Sequence, residues 1–351
     1  MYNYTEKELL VKKLKGQRLS IPDMRPIFSH WPSGQNENYE TMKEMIDKRL
    51  AMQPMGEEAR KAFTNMNPAL LAARWWPSAS KEKYRTLIEH IIWFGYWDDL
   101  VEKLTPDPNA AEDLRRVTKA FIRHSLGLTQ PGEEDSIPSN PLVRSFEGIA
   151  AETCANYDEE QRKTLMGHFD RYIDATRLEA EADLSDRLPS LKRYWEVRIL
   201  TSGMGALLGF TEYAAQAKLP LQLASSTAYE TLWMTTIIIN SIVNDLISFK
   251  KEMKAGSVLS SVAILYQQVD NLDAAVQMSV AHLRILVEEF DRVANTILSE
   301  FPLTPEEVDA VSKILYVLRT VNTGNLEWSL QSKRYGVSQF MTDDGRIELT
   351  L

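Results

Sequence analysis

The sequence has little cysteine and few chain breakers for its length. Cys154 is the only cysteine among 351 residues, which excludes an intramolecular disulfide framework and any thiolate metal cluster. Glycine and proline number 15 each, too few for a fibrous or low-complexity chain. These absences indicate a globular protein in a reducing compartment, and we expect a cytoplasmic location.

Long hydrophobic runs are also absent. The longest apolar stretch, residues 231–249, is interrupted by Asn240, Asn244 and Asp245, whereas a membrane-spanning helix needs about 20 predominantly apolar residues. The first residues alternate charged with apolar side chains, which is unlike a secretory leader. We therefore expect no membrane span.

Positive charge is in deficit, since 40 lysines and arginines face 49 aspartates and glutamates, giving a formal net charge of −9. Nonspecific nucleic-acid binding depends on neutralising phosphates, so an acidic chain argues against a nucleic-acid partner. A local basic pocket for a small anion remains compatible with this balance.

Helical periodicity dominates what is present, and strand signals are scarce. Prolines separate long helical stretches, and a polar loop is expected over residues 129–140. We predict a single all-α domain over residues 20–336, with tails at 1–19 and 337–351. The predicted helices are 81–104, 110–127, 141–156, 158–183, 190–207, 226–255, 258–268, 270–300 and 305–336.

The helix predicted at 81–104 carries acids where core residues are expected. At about 100° per residue, its apolar face runs into acids toward the C-terminal end. That face consists of Tyr84, Ile88, Ile91 and Gly95, followed by Asp98 and Glu102. Burying carboxylates costs several kcal/mol unless they are paired or bind a metal, and oxygen ligands suit Mg²⁺ or Mn²⁺. A solvated helix end with three acids is the alternative interpretation.

The helix predicted at 226–255 repeats this pattern with different side chains. It is apolar nearly all round, which is typical of the central helix of a bundle. Asn244, Ser248 and Glu252 nevertheless follow one another at intervals of four residues along one side. An amide, a hydroxyl and a carboxylate together can bind one hard cation. A helix end surfacing into solvent explains Glu252, but it explains Asn244 poorly.

Two basic positions accompany these helices. Arg198 lies on the helix predicted at 190–207, and Arg334 with Tyr335 ends the last long helix. Arginine suits bidentate binding of phosphate oxygens, although a helical arginine is more often part of a surface ion pair.

Together these residues resemble a class I terpene synthase. Residues 98–102 read DDLVE, similar to the aspartate-rich motif of that family, and residues 244–252 read NDLISFKKE, similar to its Asn/Ser/Glu motif. Arg198 stands upstream at a spacing typical of the family's diphosphate sensor, and the Arg334-Tyr335 pair follows a GNLEW stretch. The four elements occur in the family's order across residues 98–335.

The resemblance implies an all-α, single-domain class I terpenoid synthase-like helical bundle around a central apolar cavity, of the microbial and most nearly the fungal type. It implies a carbon–oxygen lyase that ionises an allylic isoprenoid diphosphate and cyclises the carbocation. Farnesyl diphosphate is the expected substrate and a sesquiterpene the expected product, with release of diphosphate. We expect a monomer or a homodimer.

The resemblance also assigns roles to residues. It implies three Mg²⁺ ions, with Mn²⁺ as the alternative. The expected metal ligands are Asp98, Glu102, Asn244, Ser248 and Glu252, and the expected diphosphate contacts are Arg198, Lys251, Arg334 and Tyr335. Asp99, Thr201 and Ser202 are expected to take part in closure of the site, Asp99 by pairing with Arg334. The family often has an aspartate at the position of Thr201, where it relays diphosphate binding to the reacting end of the substrate. A threonine can form a hydrogen bond at this position but carries no charge.

The cavity of such an enzyme must be dry and apolar, because water quenches a carbocation. Aromatic faces can stabilise the migrating charge by cation–π attraction. Trp328, Phe94 and Trp93 are the expected pocket residues, although ordinary core packing is the alternative for each.

Several other functions stay open at this point. A diterpene synthase would use geranylgeranyl diphosphate, and a chain-elongating prenyl transferase resembles this fold but carries two aspartate-rich motifs. A helical scaffold is the non-enzyme alternative, and it leaves the inward acids without a reason. A di-iron bundle is excluded, because no histidine follows a glutamate at the required interval of three residues.

Overall fold

The structure is a computed structural model that describes residues 4–53, 55–129 and 137–351. Of the polar loop predicted at 129–140, residues 130–136 lie outside the described residues. The helices before the first motif are α1 (Glu6–Leu14), α2 (Tyr39–Met52), α3 (Glu57–Met66), and α4 (Pro68–Trp75). The central helices are α5 (Lys81–Lys103), α6 (Pro108–Ser125), α7 (Pro141–Arg144), α8 (Phe146–Asn156), α9 (Glu159–Leu184), α10 (Leu191–Thr201), α11 (Met204–Leu208), α12 (Thr211–Ala215), and α13 (Leu221–Ala224). The last four are α14 (Thr227–Lys254), α15 (Ser261–Val269), α16 (Leu272–Glu300), and α17 (Pro305–Gln331).

The all-α prediction is confirmed, and the two helices with inward acids begin where their capping residues stand. Ser80 accepts a hydrogen bond from the Lys83 backbone N–H at the start of α5, and Ser226 does the same for Tyr229 at the start of α14. Such side-chain caps satisfy backbone donors that the first helical turn leaves unpaired. Their positions fix where the two helices that carry the motifs begin.

Two predicted helices are each divided in the structure. The helix predicted at 141–156 is split at Ser145 into α7 and α8, and the one predicted at 190–207 breaks after Thr201. Gly203 lies in this second break with φ of +71°, a left-handed conformation that favours glycine. A Cβ at this position would stand 2.1 Å from the Phe94 ring, so the break also allows α10 and α5 to approach closely.

A two-stranded antiparallel sheet joins distant parts of the chain. Strand β1 (Arg18–Ile21) pairs with β2 (Ile347–Thr350), with Leu19 opposite Leu349. The residues predicted as tails therefore form α1, part of β1 and β2. The segment that carries Arg334 and Tyr335 is held between α17 and this sheet.

Helix α14 runs through the centre of the bundle against α16 and α17. It is the one described helix that is long and apolar enough to cross a membrane, but 78% of its most apolar window is buried inside the protein. Such burial is typical of the core helix of a globular bundle. Helix α17 packs against α14 on one side and against α4 on the other. At the contact with α4, a Cβ at Gly324 would lie 2.3 Å from the Arg74 carbonyl oxygen.

Candidate active site

The C-terminal end of α5 carries three acids, Asp98, Asp99 and Glu102, which we call the α5 wall. Asp98 is half-buried, and its carboxylate accepts a hydrogen bond from the Tyr172 hydroxyl of α9. The pKa of Asp98 is raised to about 6, chiefly by burial and also by the charges of Asp99 and Glu102, against the opposing effects of Tyr172 and Arg334. A carboxylate in this environment favours binding a cation.

Helix α9 supplies a fourth acid that the sequence analysis did not single out. A cavity of about 110 Å³ is lined by Asp98 and Glu102 from α5 and by Thr176 and Glu179 from α9. Glu179 also lines a second cavity of about 270 Å³, together with Arg198 and other residues of α10. The spacing of Tyr172, Thr176 and Glu179 along one face of α9 is a signal that could have found it.

The C-terminal half of α14 carries Asn244, Ser248 and Glu252, which we call the α14 wall. Asn244 accepts a hydrogen bond from Arg198 Nη2 at 2.7 Å, and its amide nitrogen donates to the Tyr335 hydroxyl at 2.9 Å. Ser248 is 1% exposed, and its hydroxyl has no hydrogen-bond partner in the described part of the chain. Burial raises the pKa of Glu252.

The two walls lie close enough for acids of both to act on one lysine, Lys251, and we call the region between them the mouth. Burial lowers the pKa of Lys251 on α14, as does Arg334, whereas Glu252, Glu102 and Asp99 raise it. Lys251 therefore lies within Coulombic range of acids from both walls. The prediction that the two motifs meet requires this proximity, because metal ions can bridge them only across a short gap.

Arg198 connects α10 with the α14 wall. Besides Asn244, it contacts the Asp245 carboxylate at 3.3 Å, and its Nε is buried without a partner among the described residues. Burial alone lowers the pKa of Arg198, but Tyr194 and the charges of Asp245 and Glu252 raise it well above its ordinary value. The guanidinium thus stays charged and retains an unused donor.

Thr201 and Ser202 lie at the end of α10, beside the break at Gly203. Thr201 is buried and lines the 270 Å³ cavity together with Arg198. The Ser202 hydroxyl lies 3.4 Å from the Ile199 carbonyl and accepts a hydrogen bond from the Met204 backbone N–H at 3.3 Å. Both residues are next to the sensor arginine, and their part in closure stays a prediction.

The segment after α17 brings Arg334 and Tyr335 to the mouth. The Tyr335 ring packs edge-on against Trp328, with centroids 5.5 Å apart, and its hydroxyl contacts Asn244. The Arg334 guanidinium lies 6.0 Å from the Tyr335 ring centroid. The predicted pairing of Asp99 with Arg334 on closure stays a prediction.

The three predicted pocket aromatics are buried in different surroundings. The Trp93 indole donates to the Val143 carbonyl at 2.9 Å and packs against α8 and α9. Phe94 lies against Tyr172, with centroids 4.7 Å apart, and against the helix break. The Trp328 indole donates to the Met66 carbonyl at 2.7 Å. Of the three, Phe94 and Trp328 contact residues that belong to the mouth.

The donor set of the mouth fits a hard divalent cation. The buried hydroxyl of Ser248 lacks a hydrogen-bond partner among the described residues, and the half-buried Glu252 carboxylate lies one turn further along α14. An unsatisfied buried polar group costs about 1 to 3 kcal/mol, and a ligand can satisfy it. Within the described residues, no three His, Cys, Asp or Glu side chains already converge on one point. Ligands from both walls and from a bound anion would therefore have to complete the coordination.

The chain is similar in sequence to known proteins over most of its length. The model of terpene synthase family 2, described as its C-terminal metal-binding part, matches residues 89–290, more than half of the chain. The chain is 29% identical to a sesquiterpene cyclase of Aspergillus oryzae over 97% of its own length and 96% of that protein. It is 28% identical to the pristinol synthase of Streptomyces pristinaespiralis over 80% of this chain and 76% of that one.

Solved structures with the same fold include germacradien-4-ol synthase from Streptomyces citricolor. That structure superposes with a TM-score of 0.69 at 16% identity and covers 86% of this chain and 97% of its own. An eudesmol synthase superposes with a TM-score of 0.73 at the same identity, covering 86% and 97%. At such low identity, these structures establish the fold.

Proposed function

We propose that this chain, which belongs to the class I terpene synthase family, ionises farnesyl diphosphate and cyclises the resulting carbocation to a sesquiterpene. The carbon–oxygen bond to the diphosphate breaks, the diphosphate leaves, and the reaction is that of a lyase. The observation that carries the proposal is the meeting of the two walls and three basic side chains at one mouth. The relative from Aspergillus oryzae, named as a sesquiterpene cyclase, supports the choice of a C15 substrate.

The ligands proposed for Mg²⁺ divide between the two walls. Asp98 and Glu102 would hold two ions, and Asn244, Ser248 and Glu252 would hold the third. The chemistry that such cations supply when bound is neutralisation of the charge that develops on the departing diphosphate oxygens. Mn²⁺ remains the alternative, because it accepts the same oxygen ligands.

Basic residues of the chain bind the same leaving group. We propose that Arg198, Lys251 and Arg334 contact the diphosphate, with the Tyr335 hydroxyl as a further donor. These contacts gain most when ionisation is far advanced and the negative charge on the leaving group is largest, which lowers the barrier. The unpartnered Nε of Arg198 supports its assignment, since a donor of this kind can meet a phosphate oxygen.

The apolar part of the substrate is proposed to lie beneath the mouth. Phe94 and Trp328 each pack against a tyrosine that is hydrogen-bonded to a wall residue, Tyr172 to Asp98 and Tyr335 to Asn244, whereas Trp93 packs against Phe146 and Phe169. An aromatic face attracts a cation by about 0.5 to 2 kcal/mol, more when water is excluded. Closure of the segment with Arg334 would exclude water from the cation.

The experiment that tests the proposal supplies geranyl, farnesyl and geranylgeranyl diphosphate separately with Mg²⁺ and analyses the extracts by gas chromatography–mass spectrometry. We expect cyclic C15 products from farnesyl diphosphate and none from the Asn244→Ala variant, which controls for contaminating phosphatases. Cyclic C20 products alone would identify a diterpene synthase.

A second arm adds isopentenyl diphosphate to each mixture. Longer linear diphosphates would identify a chain-elongating prenyl transferase. The absence of any terpene in every mixture, from a protein with a normal helical circular-dichroism spectrum, would contradict the proposal and favour the scaffold alternative. A cytoplasmic location and a monomeric or dimeric state are proposed with this function.

A further inference from the structure

Asp245 is a buried carboxylate next to the α14 wall that the reaction proposed above does not use. It is 2% exposed, and four donors meet it. Its Oδ2 accepts from the Tyr194 hydroxyl at 2.6 Å, the Ser261 backbone N–H at 2.9 Å and the Ser261 hydroxyl at 2.6 Å. Its Oδ1 lies 3.3 Å from Arg198 Nη2.

These donors come from two helices and tie both of them to a third. Tyr194 and Arg198 belong to α10, Asp245 to α14, and Ser261 is the first residue of α15. A carboxylate at a helix N-terminus gains from the unpaired backbone donors there. Because three donors hold Oδ2, the plane of the Asp245 carboxylate is fixed and its Oδ1 faces Arg198.

Asp245 itself has no free oxygen suited to a metal ion. Three donated hydrogen bonds occupy Oδ2, and a guanidinium stands against Oδ1, so a divalent cation would have to displace positive or polar hydrogens. Any effect of Asp245 on diphosphate must therefore pass through Arg198. The guanidinium is held at Nη2 by Asp245 and Asn244, which leaves its buried Nε without a protein partner.

We propose that Asp245 is a positioning residue that sets Arg198 for diphosphate, with Tyr194 and Ser261 fixing the carboxylate in turn. The proposal rests on the proposed function, because it assumes that Arg198 binds diphosphate. Loss of the carboxylate charge leaves the half-buried Arg198 with Asn244 as its remaining anchor, so that the guanidinium can turn toward Glu252. Diphosphate then meets a guanidinium that is no longer preorganised.

The chain offers a matched control for a merely structural role. Asp291 on α16 also joins three elements, accepting from the Trp31 indole at 3.0 Å and Arg319 Nη2 at 2.9 Å, with His30 Nε2 at 2.6 Å. Arg319 lies three turns before the end of α17, about 18 Å along the helix axis from Gln331. Asp291→Asn removes the same charge from the same kind of cluster, away from the mouth.

The test measures the dissociation constant of inorganic diphosphate by calorimetry in saturating Mg²⁺, with the melting temperature of each variant. We expect Asp245→Asn to weaken diphosphate binding about 10- to 100-fold, as for loss of a charge-assisted hydrogen-bond partner. We expect Asp291→Asn to lower the melting temperature while changing diphosphate affinity less than about twofold. An unchanged affinity in folded Asp245→Asn would overturn the proposal.

A double-mutant cycle separates action through Arg198 from an independent effect. If Asp245 acts through Arg198, then Asp245→Asn adds less than about threefold to the loss already caused by Arg198→Ala. Losses that multiply in the double variant would overturn the proposal.

If Asp245→Asn does not fold, the Tyr194→Phe variant takes its place in the cycle, because it removes one donor to the Asp245 carboxylate. We expect it to weaken diphosphate binding about threefold in the native background and not at all beside Arg198→Ala; equal losses in both backgrounds would overturn the proposal.

Two further outcomes distinguish failure of this inference from failure of the proposed function. If the native protein neither binds diphosphate with Mg²⁺ nor forms terpenes, the proposed function fails. If the native protein does both, but the losses of diphosphate affinity from Asp245→Asn and Arg198→Ala multiply in the double variant, the proposed function stands and the role of Asp245 is overturned.

Discussion

The two walls of the mouth are built in different ways. On the α14 wall, Asn244 already contacts Arg198 and Tyr335, and the adjacent Asp245 is held by four donors. On the α5 wall, the one side-chain hydrogen bond that reaches Asp98 comes from Tyr172, and Glu102 is exposed. One side is preorganised by neighbouring helices, whereas the other consists of acids that repel one another.

This difference indicates what each wall contributes to binding. Preorganised ligands cost little further ordering when a cation arrives, so the α14 wall supplies a defined position. Clustered carboxylates are destabilising until a cation arrives, so the α5 wall supplies an unsatisfied charge that only ions relieve.

Removing a ligand from either wall should abolish turnover. We expect Asn244→Ala and Asp98→Ala each to lower diphosphate release on the order of 10³-fold, the upper range for loss of one electrostatic contact to a developing charge. The measurement is steady-state release of diphosphate from farnesyl diphosphate, with helical circular dichroism as the control for folding. Retained turnover in both variants would reject the metal assignment.

The two glutamates at the mouth allow a comparison with the same chemistry on each side. We expect Glu252→Gln to lower turnover about 100-fold and Glu102→Gln only about tenfold, because Glu252 is half-buried whereas Glu102 is exposed to solvent that screens its charge. The concentration of Mg²⁺ at half-maximal rate should rise in both variants. Equal losses, or a larger loss for Glu102→Gln, would break the contrast between the walls.

Ligand binding should stabilise the folded protein through both walls together. At about 100 times its dissociation constant, a ligand of the folded state adds about 2.7 kcal/mol. For a chain of this size we expect Mg²⁺ with inorganic diphosphate to raise the melting temperature by about 5 °C. Mg²⁺ alone should give a smaller shift. No shift under saturating ligand would favour a helical scaffold.

Neutralising the acid on the α5 wall should stabilise the protein without ligand. The pKa of Asp98 rises from an ordinary value of 3.8 to about 6, so the folded protein binds this proton more tightly than the unfolded chain. Ionisation of Asp98 then lowers the free energy of unfolding as pH rises between about 4 and 6, on the order of 2 kcal/mol at neutral pH. We expect Asp98→Asn to raise the melting temperature by about 2 to 4 °C at pH 7.

The pH dependence provides the check on that prediction. The advantage of Asp98→Asn should shrink toward pH 4, where the native carboxyl is protonated. Glu102→Gln, at an exposed position on the same helix, is the control and should change the melting temperature less. A constant advantage at all pH values would indicate that the charge of Asp98 is not its source.

Much of the fold and the two motifs could be predicted from the sequence. Helical periodicity and the prolines between helical stretches place α5 and α14 within a residue or two of their observed ends. The interval of four residues between Asn244, Ser248 and Glu252 fixes their common side, because helix geometry is regular. Such local regularities depend only on nearby residues, and the sequence contains them directly.

The partners of these residues could not be predicted in the same way. Tyr172 reaches Asp98 across 74 residues, and Ser261 reaches Asp245 only because α15 begins beside α14. Whether a buried tyrosine donates to one acid or another depends on helix packing. The break at Gly203 was likewise not predicted, since a single glycine in a helical stretch is often tolerated.

Pairing of β2 with β1 has a mechanical consequence for Arg334 and Tyr335. Their segment is tethered at one end by α17 and at the other by the sheet, where Leu349 pairs with Leu19. A chain fixed at both ends can bow inward or outward, but it cannot swing away like a free end. We therefore expect any movement of Arg334 to be a bending of this tethered segment rather than the swing of a free chain end.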